Sequence, residues 1–285
     1  MKISIISTCM LAAGLLFLTP AFPQTLKTPA ASPSQTIDQA FGLSNIKIEY
    51  SRPSVKDRVI FGDLVPFDKI WRTGANSATK ITFGEDVSIE GSKLAAGTYA
   101  MYTIPGKSSW NILFYKDLTL GGDVEGYKTD DEALRVSVKS SAIAEKVETF
   151  TINIGNIKST SATLDLMWDK TKVSCTITTE IDEKVMKNIE TALAKDSRPY
   201  YQSANYYYEN NKDMATALKW VNIAIEGNPK AYWMVHLKAK IQRKMNDTKG
   251  AIASAEQSLA LSQEDKNMDF VKLNEKLIAD LKKSN

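Results

Sequence analysis

From about Leu43 to Glu180 polar and apolar residues alternate with a period of two. Residues 149–154 (TFTINI) and 173–178 (VSCTIT) alternate fully, and 164–168 (LDLMW) does so in part. Such a rhythm gives a strand with one buried face. Further strands are expected at 43–50, 78–83, 86–90, 97–104, 109–115, 134–138 and 146–154. Asp169-Lys170-Thr171 has a length suited to a hairpin connection between the last two strands. Eight or nine short strands with turn chemistry between them predict an antiparallel β-sandwich over residues 37–180. Cys175 falls in phase with Val173 and Ile177, so it is expected as a small buried side chain and not as a reactive thiol.

From Asp182 onwards the period becomes helical. Asp182 can cap a helix running to about Lys195, and Ser197 can cap another with Pro199 in its first turn. The segment Asp213-Met214-Ala215-Thr216-Ala217-Leu218 then recurs as Asp247-Thr248-Lys249-Gly250-Ala251-Ile252, 34 residues later. Both copies continue with small residues at matching places, Ala224 and Ser258. A helical pair repeating at this interval resembles the tetratricopeptide repeat. In the first copy Tyr201, Ala204, Asn205, Tyr208, Ala217, Val221, Ala224 and Pro229 carry the resemblance. The second copy keeps Ala239, Ala251 and Ala255 but has Gln242 and Gln263 where an aromatic and a proline are usual. A polar-faced helix at about 265–283 is expected to cap the array. The second domain is therefore helical, residues 181–285, giving a multidomain chain of β then α class.

The chain begins with Met1-Lys2, an apolar run from Ile3 to Leu18, and Thr19-Pro20-Ala21. The run is shorter than the ~20 residues of a spanning helix, and the pattern is that of a secretory signal over residues 1–21. Residues 22–36, rich in Pro, Ser, Thr and Ala, are expected to form a flexible linker. Cys9 lies in the leader, so the exported chain keeps only Cys175 and forms no internal disulfide. These features place the protein outside the cytoplasm, with the periplasm preferred and no membrane span after cleavage.

With 36 basic and 33 acidic residues the net charge is +3, too small an excess to drive nucleic-acid binding by phosphate neutralisation. His236 is the single histidine, which removes the material for a histidine-rich metal site and nearly all of that for a Ser-His-Asp triad. No cofactor and no metal are expected. Gly121-Gly122 is isolated and reads as a turn, not a phosphate loop.

The densest stretch is Ser51-Arg52-Pro53-Ser54-Val55-Lys56-Asp57-Arg58-Val59-Ile60-Phe61-Gly62, then Leu64-Val65-Pro66 and Trp71-Arg72-Thr73-Gly74-Ala75-Asn76. Leu94-Ala95-Ala96-Gly97-Thr98-Tyr99, Ile104-Pro105-Gly106 and Trp110 follow. In order and spacing these motifs resemble the family catalogued as domain of unknown function 2911, over about residues 40–180. The resemblance implies an exported bacterial protein and brings no reaction or catalytic residue.

Two candidate surfaces remain. Arg52, Lys56, Arg58 and Arg72, with Trp71 and Asn76, supply bidentate donors and a flat ring suited to a small anionic or saccharide ligand. The competing reading pairs those arginines with Asp57, Asp63 and Asp68 and plugs Trp71 into the core. On the helices Gln202, Tyr206 and Glu209 share one face with Trp233, His236, Lys240 and Arg243 of the second copy. Residues 181–285 hold 17 basic and 14 acidic side chains, so that face suits an acidic peptide or a free carboxylate terminus. The expectation is a non-catalytic binding or scaffold protein. The alternative is a hydrolase of envelope or dietary polysaccharide using a carboxylate pair drawn from Asp57, Asp63, Asp68, Glu85 and Asp86.

Overall fold

The computed structural model describes residues 28–194 and 199–283, and the chain divides into two compact units after Ile177. The expected leader, residues 22–27 of the expected linker, and Ser197 lie outside the described residues.

The first unit is a nine-stranded antiparallel sheet. Its strands are β1 (Ser34–Phe41), β2 (Ser44–Ser51), β3 (Thr79–Phe83), β4 (Val87–Ile89), β5 (Ser92–Leu94), β6 (Gly97–Pro105), β7 (Ser109–Tyr115), β8 (Glu132–Gly155) and β9 (Ser161–Thr178). They lie in the order β1-β2-β3-β6-β7-β8-β9-β4-β5. β1 and β2 form a hairpin in which Phe41 pairs with Ser44, and Gly42, at φ 62, takes the first central position of the two-residue turn. β1 opens inside the segment expected to be a flexible lead-in. Its inward positions mix Gln35 and Gln39 with Ile37 and Phe41, so the apolar alternation is too faint to mark a strand.

Two expectations are corrected at β8 and β9. Residues 134–138 and 146–154 are not separate strands but the ends of one 24-residue strand. Its middle has no buried residue on either face, which erases the alternation between Lys139 and Lys146. Likewise Asp169-Lys170-Thr171 does not reverse the chain but sits inside the continuous β9, with Asp169 at φ 51. The inward set changes there from Ala162, Leu164, Leu166 and Trp168 to Val173, Cys175 and Ile177, a shift from even to odd positions. An irregularity in the ladder absorbs that change of phase. Between the pairs Ala142–Thr171 and Thr151–Met167, β8 advances nine residues while β9 advances four.

The segment just after β2 meets the far half of β8. Phe150 N donates to Pro53 O at 2.8 Å, Val55 N donates to Glu148 O at 2.8 Å, and Ser54 bridges Thr149. Inside this closure sits a core drawn from β2, β3 and β4 and from β6 to β9, with Ile48, Ile81, Met101, Ile112, Leu164 and Val173 fully buried. One end of it is aromatic: Trp71 stacks on Trp168 at 5.7 Å, and Phe61, Trp110 and Phe150 meet them edge-on. Such rings bury large areas, and truncating one costs about 3–5 kcal/mol. On the opposite face of β6 and β7, Tyr102, Tyr115 and Tyr127 pack together under the loop that follows β7.

The second unit contains, among the described residues, six helices: α1 (Asp182–Ala194), α2 (Tyr200–Glu209), α3 (Met214–Gly227), α4 (Tyr232–Lys244), α5 (Thr248–Glu264) and α6 (Met268–Lys283). From α2 onwards each packs on the next, and α4 also touches α2 and α6. Asp213 caps α3 by accepting from the backbone N–H groups of Ala215 and Thr216, and Asp247 caps α5 by accepting from Gly250 N. α2 starts after Pro199 with no side-chain cap. Ala217 and Val221 are buried in α3, and Ala251 and Ala255, each 34 positions later, are buried in α5. Small residues there let the paired helices approach closely.

Candidate functional site

The residues of the first candidate surface fall into three places. Arg52 reaches the far half of β8, with Nε donating to Phe150 O at 3.0 Å and Nη2 to Thr151 Oγ1 at 2.8 Å. Lys56 and Arg58 belong to a tight turn in which Lys56 and Asp57 both take positive φ. There Lys56 N donates to Glu148 Oε1 at 2.8 Å, and Arg58 donates to Ser54 O and Val55 O at 2.6 and 3.0 Å. Arg52 and Arg58 therefore hold backbone carbonyls, not the neighbouring aspartates.

Trp71, Arg72 and Asn76 do come together. Trp71 pairs with Thr103 of β6, and its indole Nε1 donates to Gly74 O at 3.1 Å. Arg72 Nη1 donates to Asn76 O at 2.9 Å, and Asn76, at φ 59, reaches Ser51 Oγ with its amide at 3.2 Å. The loop after β7 presses on this turn, because a Cβ on Gly122 would lie 2.4 Å from both Arg72 Nη1 and Asn76 O. The field of Arg72 also reaches Tyr102. Burial pushes that phenol up to about 12, Tyr115 and Asp117 add to the rise, and Arg72 opposes it.

Of the carboxylates proposed for hydrolysis, Asp57, Asp63 and Asp68 sit on three separate turns, and Glu85 and Asp86 are neighbours in the link between β3 and β4. Asp57 lies in the tight turn beside Lys146, and Asp63 lies between Phe61 and Val65, which bridge each other. Asp68 stands at φ 60, and Asp86 accepts from Ala96 N in the β4–β5 region. Among the described residues no group of three His, Cys, Asp or Glu is placed to hold a metal ion.

On the helices, Lys240 Nζ lies 3.7 Å from Glu209 Oε1 and 4.5 Å above the Tyr208 ring, with Lys244 Nζ 4.0 Å above the same ring. Arg243 is exposed, and its charge is felt at Tyr208, whose phenol is raised chiefly by burial. Gln202 lines a cleft of about 600 Å³ together with Tyr201, Ile223 and Met234. Tyr206 is turned towards α1, its hydroxyl donating to Asp182 Oδ1 at 2.8 Å, and Lys212 holds the other oxygen at 2.6 Å. Trp233 packs edge-on against Tyr232 at 5.1 Å. His236 faces α6, with Nδ1 2.7 Å from Asn274 Oδ1 and its ring edge-on to Phe270. Burial holds its imidazole below the ordinary value, and Lys240 acts in the same direction.

Sequence reasoning missed Lys69, which lines a cleft beside Arg72, because it reads as one charge among several alternating in sign. It also missed Asn274, whose role appears only once α4, α5 and α6 are brought together.

No curated protein and no solved structure matches the chain. The family model described as protein of unknown function (DUF2911) matches residues 32–177, just over half of the 285 residues and nearly the whole described β unit. The chain therefore belongs to the DUF2911 family.

Proposed function

We propose that this is an exported, non-catalytic binding protein. Its sheet is folded over as a sandwich, and its helices form a short tetratricopeptide-like array that docks an acidic peptide across α2, α4 and α6. The repeat reading is supported by the matched caps Asp213 and Asp247 and by the buried small residues at the same interval. The observation that carries the docking reading is the charge of α4. This central helix bears Lys238, Lys240, Arg243 and Lys244 and no carboxylate, and two of those cations stand over the Tyr208 ring. A cation held over an aromatic face beside an exposed arginine suits a chain of carboxylates with apolar residues between them. The cleft at Gln202 extends the surface at one end.

Fluorescence anisotropy of the full chain with a short labelled peptide alternating Asp with Leu tests this. Binding is expected to saturate, to weaken with salt, and to fall at least about tenfold, ~1.4 kcal/mol, in Lys240→Glu/Arg243→Glu. A Lys-Leu peptide bound equally well, or a charge-reversed variant that binds the Asp-Leu peptide unchanged, overturns the proposal.

A further inference from the structure

Between the segment that follows β2 and the loop that follows β7, the sheet unit carries a cleft of about 170 Å³. That is room for about six atoms the size of water, at ~30 Å³ each, and less than a drug-sized ligand fills. Its walls divide by chemistry. Leu64, Pro66, Ile70 and Val124 are apolar, whereas Lys69 and Arg72 bring two positive charges, and no carboxylate lines the cleft. Neither cation makes an ion pair among the described residues. The hydrogen bond described for Arg72 goes to a neutral carbonyl, Asn76 O, and leaves four N–H donors of the guanidinium for other partners.

Arg72 is also held in place. Asn76 O grips it on one side, and on another the backbone at Gly122 passes so close that a Cβ there would fall 2.4 Å from Nη1. A half-buried guanidinium fixed in this way, with a second cation beside it and apolar walls opposite, presents donors for an anionic head next to a surface for an apolar tail. Phosphate or sulfate fits only the first of these features. An alcohol fits only the second.

We infer that this cleft binds a small amphiphilic carboxylate, a straight-chain acid of four or five carbons, with its head on Arg72 and Lys69. The apolar tail then lies against Leu64, Pro66, Ile70 and Val124. This site belongs to the β unit and does not depend on peptide docking by the helices. The Lys240→Glu/Arg243→Glu variant therefore binds the acid normally, whichever way the docking experiment turns out.

Calorimetric titration of the full chain with sodium butanoate at constant ionic strength tests the inference, with acetate, phosphate and 1-butanol as controls. Saturable binding in the millimolar range is expected, with each control at least about tenfold weaker. Lys69→Gln keeps an exposed polar side chain, so its melting temperature without ligand stays that of the parent while butanoate affinity falls several-fold. Leu64→Asp, at a position 44% exposed, places a fixed carboxylate at the mouth and abolishes binding without unfolding the chain. No saturable heat at tens of millimolar butanoate overturns the inference. So does 1-butanol binding as well as butanoate, phosphate binding as well as butanoate, or a folded Lys69→Gln protein of unchanged affinity.

Discussion

Asn274 is fully buried in α6 and ties three helices together. Its amide nitrogen donates to Ser258 Oγ of α5 at 2.9 Å and to Phe270 O at 2.8 Å. Its oxygen therefore faces His236 of α4 at 2.7 Å, which assigns the imidazole proton to Nδ1. Asn274→Ala removes all three bonds. Ser258 Oγ still donates to Tyr232 O at 2.8 Å, so its loss is small, but the half-buried Nδ1–H of His236 is left without an acceptor. At ~0.5–1.5 kcal/mol for each bond, and ~1–3 for an orphaned donor, the expected destabilisation is about 2–4 kcal/mol.

The same network fixes a pH dependence. The folded protein holds His236 below its ordinary value of 6.5, so on acidification the unfolded chain binds the proton first. The contribution of His236 is therefore complete above that value and declines as pH falls below it. Because His236 is the only histidine, the stability slope just below neutral pH belongs largely to this one side chain. Urea unfolding followed by far-ultraviolet ellipticity, which the helices dominate, at about pH 7 and about pH 5.5 measures both effects. Asn274→Asp reverses the slope, since a carboxylate beside the ring raises the imidazole value and its contribution then fades as pH rises. A loss below ~0.5 kcal/mol in Asn274→Ala, or a wild-type slope untouched by His236→Gln, refutes the reasoning.

Cys175 is buried in the sheet core, where desolvation first, and then Glu90 and Asp165, push its thiol up to about 12. Thiol reagents at mildly alkaline pH are expected to leave it unmodified until urea unfolds the chain, and labelling located at Cys175 by peptide mapping of the native protein would contradict this. Asp165, 7% exposed, holds Lys172 at 2.9 Å and also accepts from the Ser174 hydroxyl. Its replacement by Ala is expected to cost about 2–4 kcal/mol in chemical unfolding. Lys172→Met is expected to cost less, because the lysine is 30% exposed. Gly122→Ala forces a methyl group onto Arg72 and the rigid carbonyl of Asn76, for an expected loss of ~1–3 kcal/mol, read as a lowered urea midpoint.

The two-residue rhythm identified the sheet and the inward place of Cys175, because those strands bury one face. It failed at β1, whose inward side carries two glutamines, and in the middle of β8, where neither face is buried. At Asp169-Lys170-Thr171 the length of the gap between two alternating runs pointed to a reversal. The jump in phase from Trp168 to Val173 was the better guide, since it required only an irregularity within one strand. The starts of α3 and α5 were legible from Asp213 and Asp247, whose capping role is local. The arginines were not: sequence proximity suggested aspartate partners, but Arg52 meets Phe150 and Thr151, nearly a hundred positions away. Of the first candidate surface only Trp71, Arg72 and Asn76 converge, and Lys69 joins them through a loop path that no periodicity encodes.

The joining of Pro53 and Val55 to Phe150 and Glu148 has a kinetic consequence. On the ribosome, the chain through Phe150, in the last quarter of the β unit, must emerge before Pro53 and Val55 find these partners. Ring closure over about a hundred residues adds entropy cost and slows the search. The helices, which follow the β unit in the chain, join mostly next-door segments and are expected to reach their final form first, so refolding is expected to show a fast helical phase ahead of a slow burial of Trp71, Trp110 and Trp168.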